Sequence, residues 1–132
     1  MSAPDTLPPA EDLQIRVPAT PEHTNAGGDI FGGWVMSQVD IAGSIPCVRR
    51  SRGRVVTVAV NHFVFEQPVH VGDMVSVYAR ITRVGRTSMT TEVTVYVERH
   101  PRAPQVIRVA RAEVVYVAVD EHGRPRPVEA AP

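Results

Sequence analysis

One long apolar segment, residues 32–52, limits how this chain can fold more than any other feature. It is hydrophobic on nearly all sides, so it predicts a long helix that must be buried. The basic residues at its end, followed by Gly53, are typical of a helix C-terminus. Pro46 cannot donate a hydrogen bond to the Ala42 carbonyl, and we expect it to bend the helix. One sheet face cannot cover such a helix, so either the sheet wraps around it or a second subunit packs on it.

The remaining folded chain is rich in valine, with 24 valines against two leucines, and this composition favours strands. Two segments alternate apolar and polar residues, and because only a short connection separates them they predict a β-hairpin. The predicted strands are, in chain order, Leu13–Ala19, Val55–Phe65, Val75–Thr82, Met89–Glu98 and Val106–Val119. The second of these begins with apolar residues on both faces, which indicates cover on both sides. One helix with an antiparallel sheet makes an α+β fold.

The length of 132 residues corresponds to one domain, with proline-rich ends that offer little to bury. We expect a flexible N-terminal arm at 1–12, a folded domain at 13–120 and a flexible C-terminal tail at 121–132. The formal net charge is zero, unlike the charge of a typical nucleic-acid-binding protein. No apolar run reaches 18 residues, so no membrane span is predicted. The single cysteine, Cys47, excludes an internal disulfide, and the cytoplasm is the expected compartment.

The glycine-rich stretch before the helix is the first candidate for chemistry. Gly32 and Gly33 fall at the predicted helix start. The first amides of a helix have no partner within it and carry the positive end of its dipole. Glycine leaves these amides accessible, so they could hold a substrate oxygen or a developing oxyanion. A turn that only allows the helix to begin is the alternative.

Asp40 is a carboxylate within an otherwise apolar helix, where burial is costly unless the group is paired or used. It follows Gly33 by about two helical turns, so both could border one cleft. Ser37 and Ser44 lie on the same face, at positions i−3 and i+4. A structural aspartate, held by these hydroxyls or by an arginine, is the alternative.

The sequence leaves open the roles of two other groups of residues, the histidines and the residues of the hairpin turn. The histidines form no closely spaced pair, so a histidine-ligated metal site is not expected, although His62 could act as a general acid or base. At the hairpin turn, Arg86, Thr87 and Ser88 combine a guanidinium with hydroxyls beside free amides, a combination that suits a phosphate. An ordinary exposed turn is the alternative there.

Together these residues resemble a known family. Residues 24–40 read TNAGGDIFGGWVMSQVD, which is similar to the signature of the YciA-type acyl-CoA thioesterases. These are hotdog-fold enzymes related to the cytosolic brain acyl-CoA hydrolases. Segments 53–60, 68–73 and 85–88 resemble the family's next strand, its next turn and its CoA-side hairpin. The resemblance covers about residues 15–119.

The resemblance implies a hotdog fold, in which a curved antiparallel sheet wraps one long central helix. Two subunits would pair edge to edge with active sites at their interface, and three such dimers would form a trimer of dimers. Asp40 would act as general base or nucleophile on the thioester, and Asn25 would face it from the neighbouring subunit. An amide at Gly33 or Gly32 would polarise the thioester carbonyl.

The implied substrate is an acyl-CoA, with Arg86, Thr87 and Ser88 near its nucleotide or pantetheine part and Ser44 as a further binding residue. No metal or cofactor is expected, because a thiolate is a stable leaving group near neutral pH. Two other functions stay open. One is a non-catalytic acyl-CoA-binding module, since fold alone does not assign function. The other is an enoyl-CoA hydratase, which needs a histidine beside the acid and for which His62 is the weak candidate.

Overall fold

The computed structural model describes residues 6–129, in which one long helix packs against a five-stranded antiparallel sheet. The elements in chain order are β1 (Leu13–Pro18), α1 (Gly32–Ser51), β2 (Val55–Phe65), β3 (Met74–Val84), β4 (Ser88–Arg99) and β5 (Gln105–Ala118). Short 3-10 turns at Ala10–Asp12 and Pro21–His23 flank β1. The spatial order of the strands is β1-β3-β4-β5-β2. The predicted α+β class and the β3–β4 hairpin are confirmed.

The core lies between α1 and the sheet, and alternate side chains of the strands point into it. On β4 the residues Thr91, Val93, Val95 and Val97 are all fully buried, while Glu92, between Thr91 and Val93, is exposed. This is the period of two that the sequence shows, because successive side chains of a strand point to opposite faces. On β5, Val114 and Tyr116 continue the same inner face.

The sheet covers only one side of α1 within a single chain. The buried helix residues recur every three or four positions and are Val35, Val39, Ala42, Gly43, Cys47 and Ser51. The opposite side exposes Met36, Ile41 and Val48, with Ile41 52% exposed. The prediction of a helix buried on all sides is therefore not met by one chain, because the sheet does not close around it.

β2 is an edge strand that pairs only with β5. The predicted cover on both faces of β2 is absent from a single chain, because one of its faces is largely exposed. Its outward side chains include Val58, which is 54% exposed, and Val60. The pairing with β5 is interrupted at two places, and His62 at the second has a positive φ of 53°. An apolar edge strand is an exposed template for pairing with another chain.

The helix C-terminus differs in detail from the prediction. Arg52 takes the left-handed conformation, with φ 56°, and its N–H donates to the Val48 carbonyl. Gly53, which the sequence suggested for that role, instead allows a close approach: a Cβ at this position would collide with the Arg126 guanidinium. That guanidinium donates to the Ser51 carbonyl at 2.8 Å and so satisfies a carbonyl at the helix end.

The described part of the predicted C-terminal tail, residues 121–129, makes definite contacts with the domain. Val128 is only 2% exposed and belongs to the core, and its amide donates to the Arg86 carbonyl at 2.8 Å. Glu129 pairs with Arg50 of the helix. The prolines suggested a loose tail, but Pro125 forms an isolated antiparallel bridge with Val119, and the Arg126 amide donates to the Ala118 carbonyl at 2.9 Å. Residues 1–5 and 130–132 of the predicted arm and tail lie outside the described residues.

Candidate active site

Asp40 lies near the middle of α1 on its exposed side, so the predicted burial of this carboxylate is wrong for a single chain. The hydroxyl of Thr57, on β2, donates to Asp40 Oδ1 at 2.6 Å. Among the described residues none donates to Oδ2. One carboxylate oxygen is therefore held by the sheet, and the other is left without a hydrogen bond in the described chain.

Tyr116, on β5, reaches the same residue from the core. Its hydroxyl donates to the main-chain carbonyl of Asp40 at 2.6 Å and lies 3.4 Å from Asp40 Oδ1. Burial, followed by the negative charge of Asp40, raises the pKa of Tyr116, so the hydroxyl keeps its proton. Gly43 makes the contact possible, since a Cβ there would lie 2.5 Å from the Tyr116 hydroxyl.

Ser37 and Ser44, predicted to form a polar stripe with Asp40, do not hydrogen-bond to it. Each hydroxyl donates to the carbonyl three residues earlier in the helix, at 2.6 Å for Ser37 and 2.7 Å for Ser44. This is an ordinary way for serine to satisfy its hydroxyl inside a helix. The two serines therefore do not position the carboxylate.

Asn25 stands in the loop that leads to the helix, and its carboxamide has a defined orientation. Its Oδ1 accepts hydrogen bonds from the amides of Gly27 at 2.8 Å and Asp29 at 3.2 Å. Two N–H groups that point at one atom identify that atom as the oxygen. The Nδ2 group lies at the other end of the carboxamide and, within the described residues, donates to no acceptor.

The helix start carries two open amides. α1 begins after Phe31, and no side chain caps it. Among the described residues nothing accepts from the amides of Gly32 and Gly33, whereas the next two amides donate to the Phe31 carbonyl. A Cβ on Gly33 would meet no atom within 4 Å, and one on Gly32 would approach the Phe65 ring at 3.2 Å. A ligand can therefore approach Gly33 without obstruction, whereas the Phe65 ring limits the space beside Gly32.

A cleft of about 340 Å³ lies between the helix start and the end of β2, with Asn25 and Gly32 in its wall. The rest of its wall is partly polar, with Asp29, Glu66 and Gln67, and partly apolar, with Ile30, Val35, Phe65, Pro68, Val69 and Val109. Asp40 is not part of this wall, because eight residues at about 1.5 Å each place it about 12 Å further along the helix axis. Within one chain the helix start and the carboxylate therefore do not border the same cleft.

The hairpin residues Arg86, Thr87 and Ser88 are held through their main chain. The carbonyls of Thr87 and Ser88 accept from the amides of Ala118 and Gly85, at 2.9 and 2.8 Å. The Arg86 side chain is exposed and forms no salt bridge with any described residue. None of the three lines the cleft beside Asn25.

Comparison with known proteins gives the family. Residues 27–103 match the family model described as the thioesterase superfamily. The acyl-CoA thioester hydrolase YciA of Escherichia coli (strain K12) is 47% identical over 125 residues, which cover 92% of this chain and 95% of that protein. This chain is a YciA-type member of the thioesterase superfamily.

Solved structures confirm the hotdog fold implied by the resemblance. The hexameric thioesterase y2039 of Yersinia pestis is 45% identical, with a TM-score of 0.85 over 93% of this chain and 99% of that chain. The hexameric hotdog-fold thioesterase of Campylobacter jejuni is 39% identical, with a TM-score of 0.84 over 88% of this chain and 89% of that chain.

The structure places His62 away from these thioesterase-family groups. It lines a cleft on the sheet face opposite the helix, with Glu92, Thr94 and Arg111 among its neighbours. No hydrogen bond or ion pair joins it to Asp40 or Asn25, so the pairing that a hydratase needs does not form within one described chain. In the same described part, no three His, Cys, Asp or Glu side chains gather into a group that could hold a metal ion.

Two further observations concern the whole described chain. Burial raises the pKa of Cys47 to about 12, so this thiol is neutral and inert near neutral pH. No helix between residues 6 and 129 has the length and hydrophobicity needed to cross a bilayer.

Sequence reasoning missed Thr57, Tyr116 and Gly43, although two signals were present. Glycine inside a helix costs about 1 kcal/mol relative to alanine, so Gly43 already suggested a close approach by some other group. A tyrosine on the inner face of a strand needs a partner for its hydroxyl. No signal in the sequence identified that partner as Asp40, which lies 76 residues away in the chain.

Proposed function

We propose that this protein is an acyl-CoA thioesterase, which hydrolyses fatty acyl-CoA thioesters to free acid and coenzyme A. Relatives at 45–47% identity are acyl-CoA thioester hydrolases by name, and a solved structure at 42% identity is described as a hexameric broad-specificity acyl-coenzyme A thioesterase. The observation that carries the proposal is a carboxylate with one oxygen held and one oxygen free, together with a glycine helix start whose amides are open. These are the base or nucleophile and the oxyanion site that thioester hydrolysis requires.

The active site in this proposal is shared between two subunits. An oxyanion donor and a nucleophile must act on one carbonyl group with reacting atoms about 3–3.5 Å apart, whereas one chain separates Gly32 from Asp40 by about 12 Å along the helix. A second copy that covers the exposed side of α1 would bring its own Asp40 to the cleft of the first. The same contact would cover Ile41 and the β2 residue Val58. The hexameric state of the Yersinia and Campylobacter thioesterases supports a homo-oligomer, and we propose a dimer that assembles into a trimer of dimers.

The chemistry follows from these groups. Asp40 Oδ2 either takes a proton from the water that attacks the thioester carbonyl or attacks the carbonyl itself. In both routes the C–S bond breaks and coenzyme A leaves as its thiolate, and in the second route water then hydrolyses the acyl-aspartyl anhydride to release the acid and free Asp40. As the carbonyl oxygen gains negative charge, it accepts hydrogen bonds from the amide of Gly33 or Gly32, with the Asn25 Nδ2 group beside them. Each such donor contributes roughly 3–4 kcal/mol to lowering the barrier. A positioned general base adds about 10²–10⁴ in rate.

The other predicted residues and the compartment remain proposals. The apolar part of the cleft would take the start of the acyl chain, and Arg86, Thr87 and Ser88 would contact the phosphates or pantetheine of coenzyme A. Ser44 stays a candidate substrate contact at the subunit interface. No metal or cofactor is required by this mechanism, and a cytoplasmic location stays a prediction from the single cysteine.

The test is release of free thiol from acetyl-, hexanoyl- and palmitoyl-CoA by the wild type beside Asp40→Asn. We expect turnover by the wild type and a loss of about 10² or more in the variant. Equal rates for the two proteins would mean that Asp40 is structural. No release by either, with tight binding of the acyl-CoA, would support the non-catalytic binding module instead.

A further inference from the structure

An interior glycine of α1 is the first of three observations that point to one function. Gly43 lies in the middle of the helix, where glycine is unfavourable, and it is buried. A Cβ there would lie 2.5 Å from the Tyr116 hydroxyl and 3.1 Å from Thr91 Oγ1. The helix can approach β5 this closely only because this side chain is missing.

The second observation is the use that Tyr116 makes of the gap. Its side chain is fully buried, and its hydroxyl donates its hydrogen bond to Asp40 rather than to water or to the sheet. The contact is with the main-chain carbonyl, which normally needs only its helical amide partner, so it is not required to satisfy an orphaned group. Because burial and the charge of Asp40 raise the pKa of Tyr116, the hydroxyl remains a donor throughout the physiological pH range.

The third observation is the register of the two strands beneath the helix. Thr57 on β2 is the direct cross-strand partner of Tyr116 on β5. One hydroxyl holds the carboxylate of Asp40 and the other holds its main chain, at 2.6 Å each. These two contacts from one cross-strand pair define both the position of the residue and the direction of its side chain.

We propose that Tyr116 is a positioning residue for thioester hydrolysis. Its hydroxyl, which reaches the helix through the space left by Gly43, sets the distance of Asp40 from the sheet and the rotation of α1 at that residue. The inference rests on the proposed function, since it takes Asp40 as the reacting group. Without the Tyr116 hydroxyl, α1 is free to shift at Asp40, and the free carboxylate oxygen moves relative to a carbonyl bound by the other subunit. A displacement of this kind lowers turnover while leaving the substrate-binding surfaces in place.

The experiment compares Tyr116→Phe with Tyr78→Phe in the thiol-release assay, using the oligomer of each. Tyr78 is a matched control because it is also a buried tyrosine of the sheet, and its hydroxyl contacts Arg16 rather than the helix. We expect kcat of Tyr116→Phe to fall about tenfold or more, with KM within about twofold of wild type. Tyr78→Phe should keep both constants.

A double-mutant cycle separates positioning from general damage. In the Asp40→Asn background, Tyr116→Phe should cause no further loss, because the group that it positions no longer reacts. A loss of the same size in both backgrounds, an effect on KM alone, or a kcat equal to that of Tyr78→Phe would overturn the inference. Gly43→Ala, which displaces the hydroxyl from the other side, is the second variant and should reproduce the fall in kcat if Tyr116→Phe does not fold.

The same experiment keeps this inference distinct from the proposed function. Wild-type turnover that collapses in Asp40→Asn establishes the function whatever Tyr116→Phe does. A wild type that releases no thiol overturns both.

Discussion

Thr57 and Tyr116 lie directly opposite each other on β2 and β5, and both hydroxyls donate to Asp40 at 2.6 Å. Cross-strand partners point to the same face of a sheet, so this register aims both groups at one helical residue. The helix needs a gap at Gly43 to come within their reach. The placement of the proposed reactive carboxylate is thus decided by the sheet rather than by the helix that carries it.

Removal of the Thr57 hydroxyl should impair turnover more than stability. Thr57→Val keeps the shape of the side chain but loses the donor to Asp40 Oδ1, so the carboxylate is no longer held in one rotamer. We expect kcat to fall by about 10- to 100-fold, in line with the effect of a misplaced reacting group. Steady-state kinetics on hexanoyl-CoA measure it, and Thr82→Val, on the exposed part of β3, is the control. Unchanged kcat in Thr57→Val would show that the hydrogen bond has no catalytic consequence.

Gly43→Ala should destabilise the protein although alanine is the better helix former. The propensity gain of about 1 kcal/mol is opposed by a collision with the Tyr116 hydroxyl, and overpacking of a core typically costs 1–3 kcal/mol. We expect a net loss, measured as the free energy of unfolding in urea. Gly33→Ala, where an added Cβ meets nothing within 4 Å, should show no such loss of stability. If the collision is the cause, the loss should shrink when Tyr116→Phe is also present.

Stability should decline in alkaline solution because two buried acids must stay neutral in the folded state. The pKa of Cys47 rises from 9.0 to about 12 on folding, and that of Tyr116 rises above 10.0. The unfolded chain therefore releases these protons first, so the stabilisation is complete below pH 9 and is lost as the pH rises from 9 towards 12. Each group adds a slope of about 1.4 kcal/mol per pH unit once its unfolded form ionises.

Urea unfolding between pH 7 and pH 10.5 measures this decline. Cys47→Ala should flatten the curve between pH 9 and pH 10 relative to wild type, and Tyr116→Phe should flatten it only above pH 10. Curves that run parallel for all three proteins would contradict the assignment. For the same reason, the native thiol should not react with a thiol reagent at pH 8, which leaves the assay for free coenzyme A undisturbed.

A charge on the exposed apolar edge should separate the subunits and abolish activity together. Val58→Asp places a carboxylate on β2 where we propose that a second copy covers it, and burial of an unpaired charge is strongly unfavourable. We expect a smaller particle in size-exclusion chromatography with light scattering, and no thiol release from that particle. Arg83→Asp, on the exposed part of β3, is the control. A fully active monomer would disprove a site shared between subunits.

The sequence by itself determined the elements and the family. Alternation in two segments and the β-rich composition of the others predicted the strands to within a few residues. The apolar run of residues 32–52 predicted the helix to within one residue of its end, because these patterns are local properties of the chain. The motif at residues 24–40 named Asp40, Asn25 and the glycines of the helix start. Residue type and spacing carried this information, and neither depends on distant parts of the chain.

The tertiary structure alone decided what holds Asp40 and what faces it. Thr57 and Tyr116 are 17 and 76 residues away in the chain, and their convergence depends on strand register and on the rotation of α1 above the sheet. The serines at i−3 and i+4, which spacing favoured as partners, satisfy themselves on the helix instead. The exposed side of α1 and the apolar edge of β2 find no cover within the described chain, because the one sheet packs on the other side of the helix, and we propose that a second copy covers them.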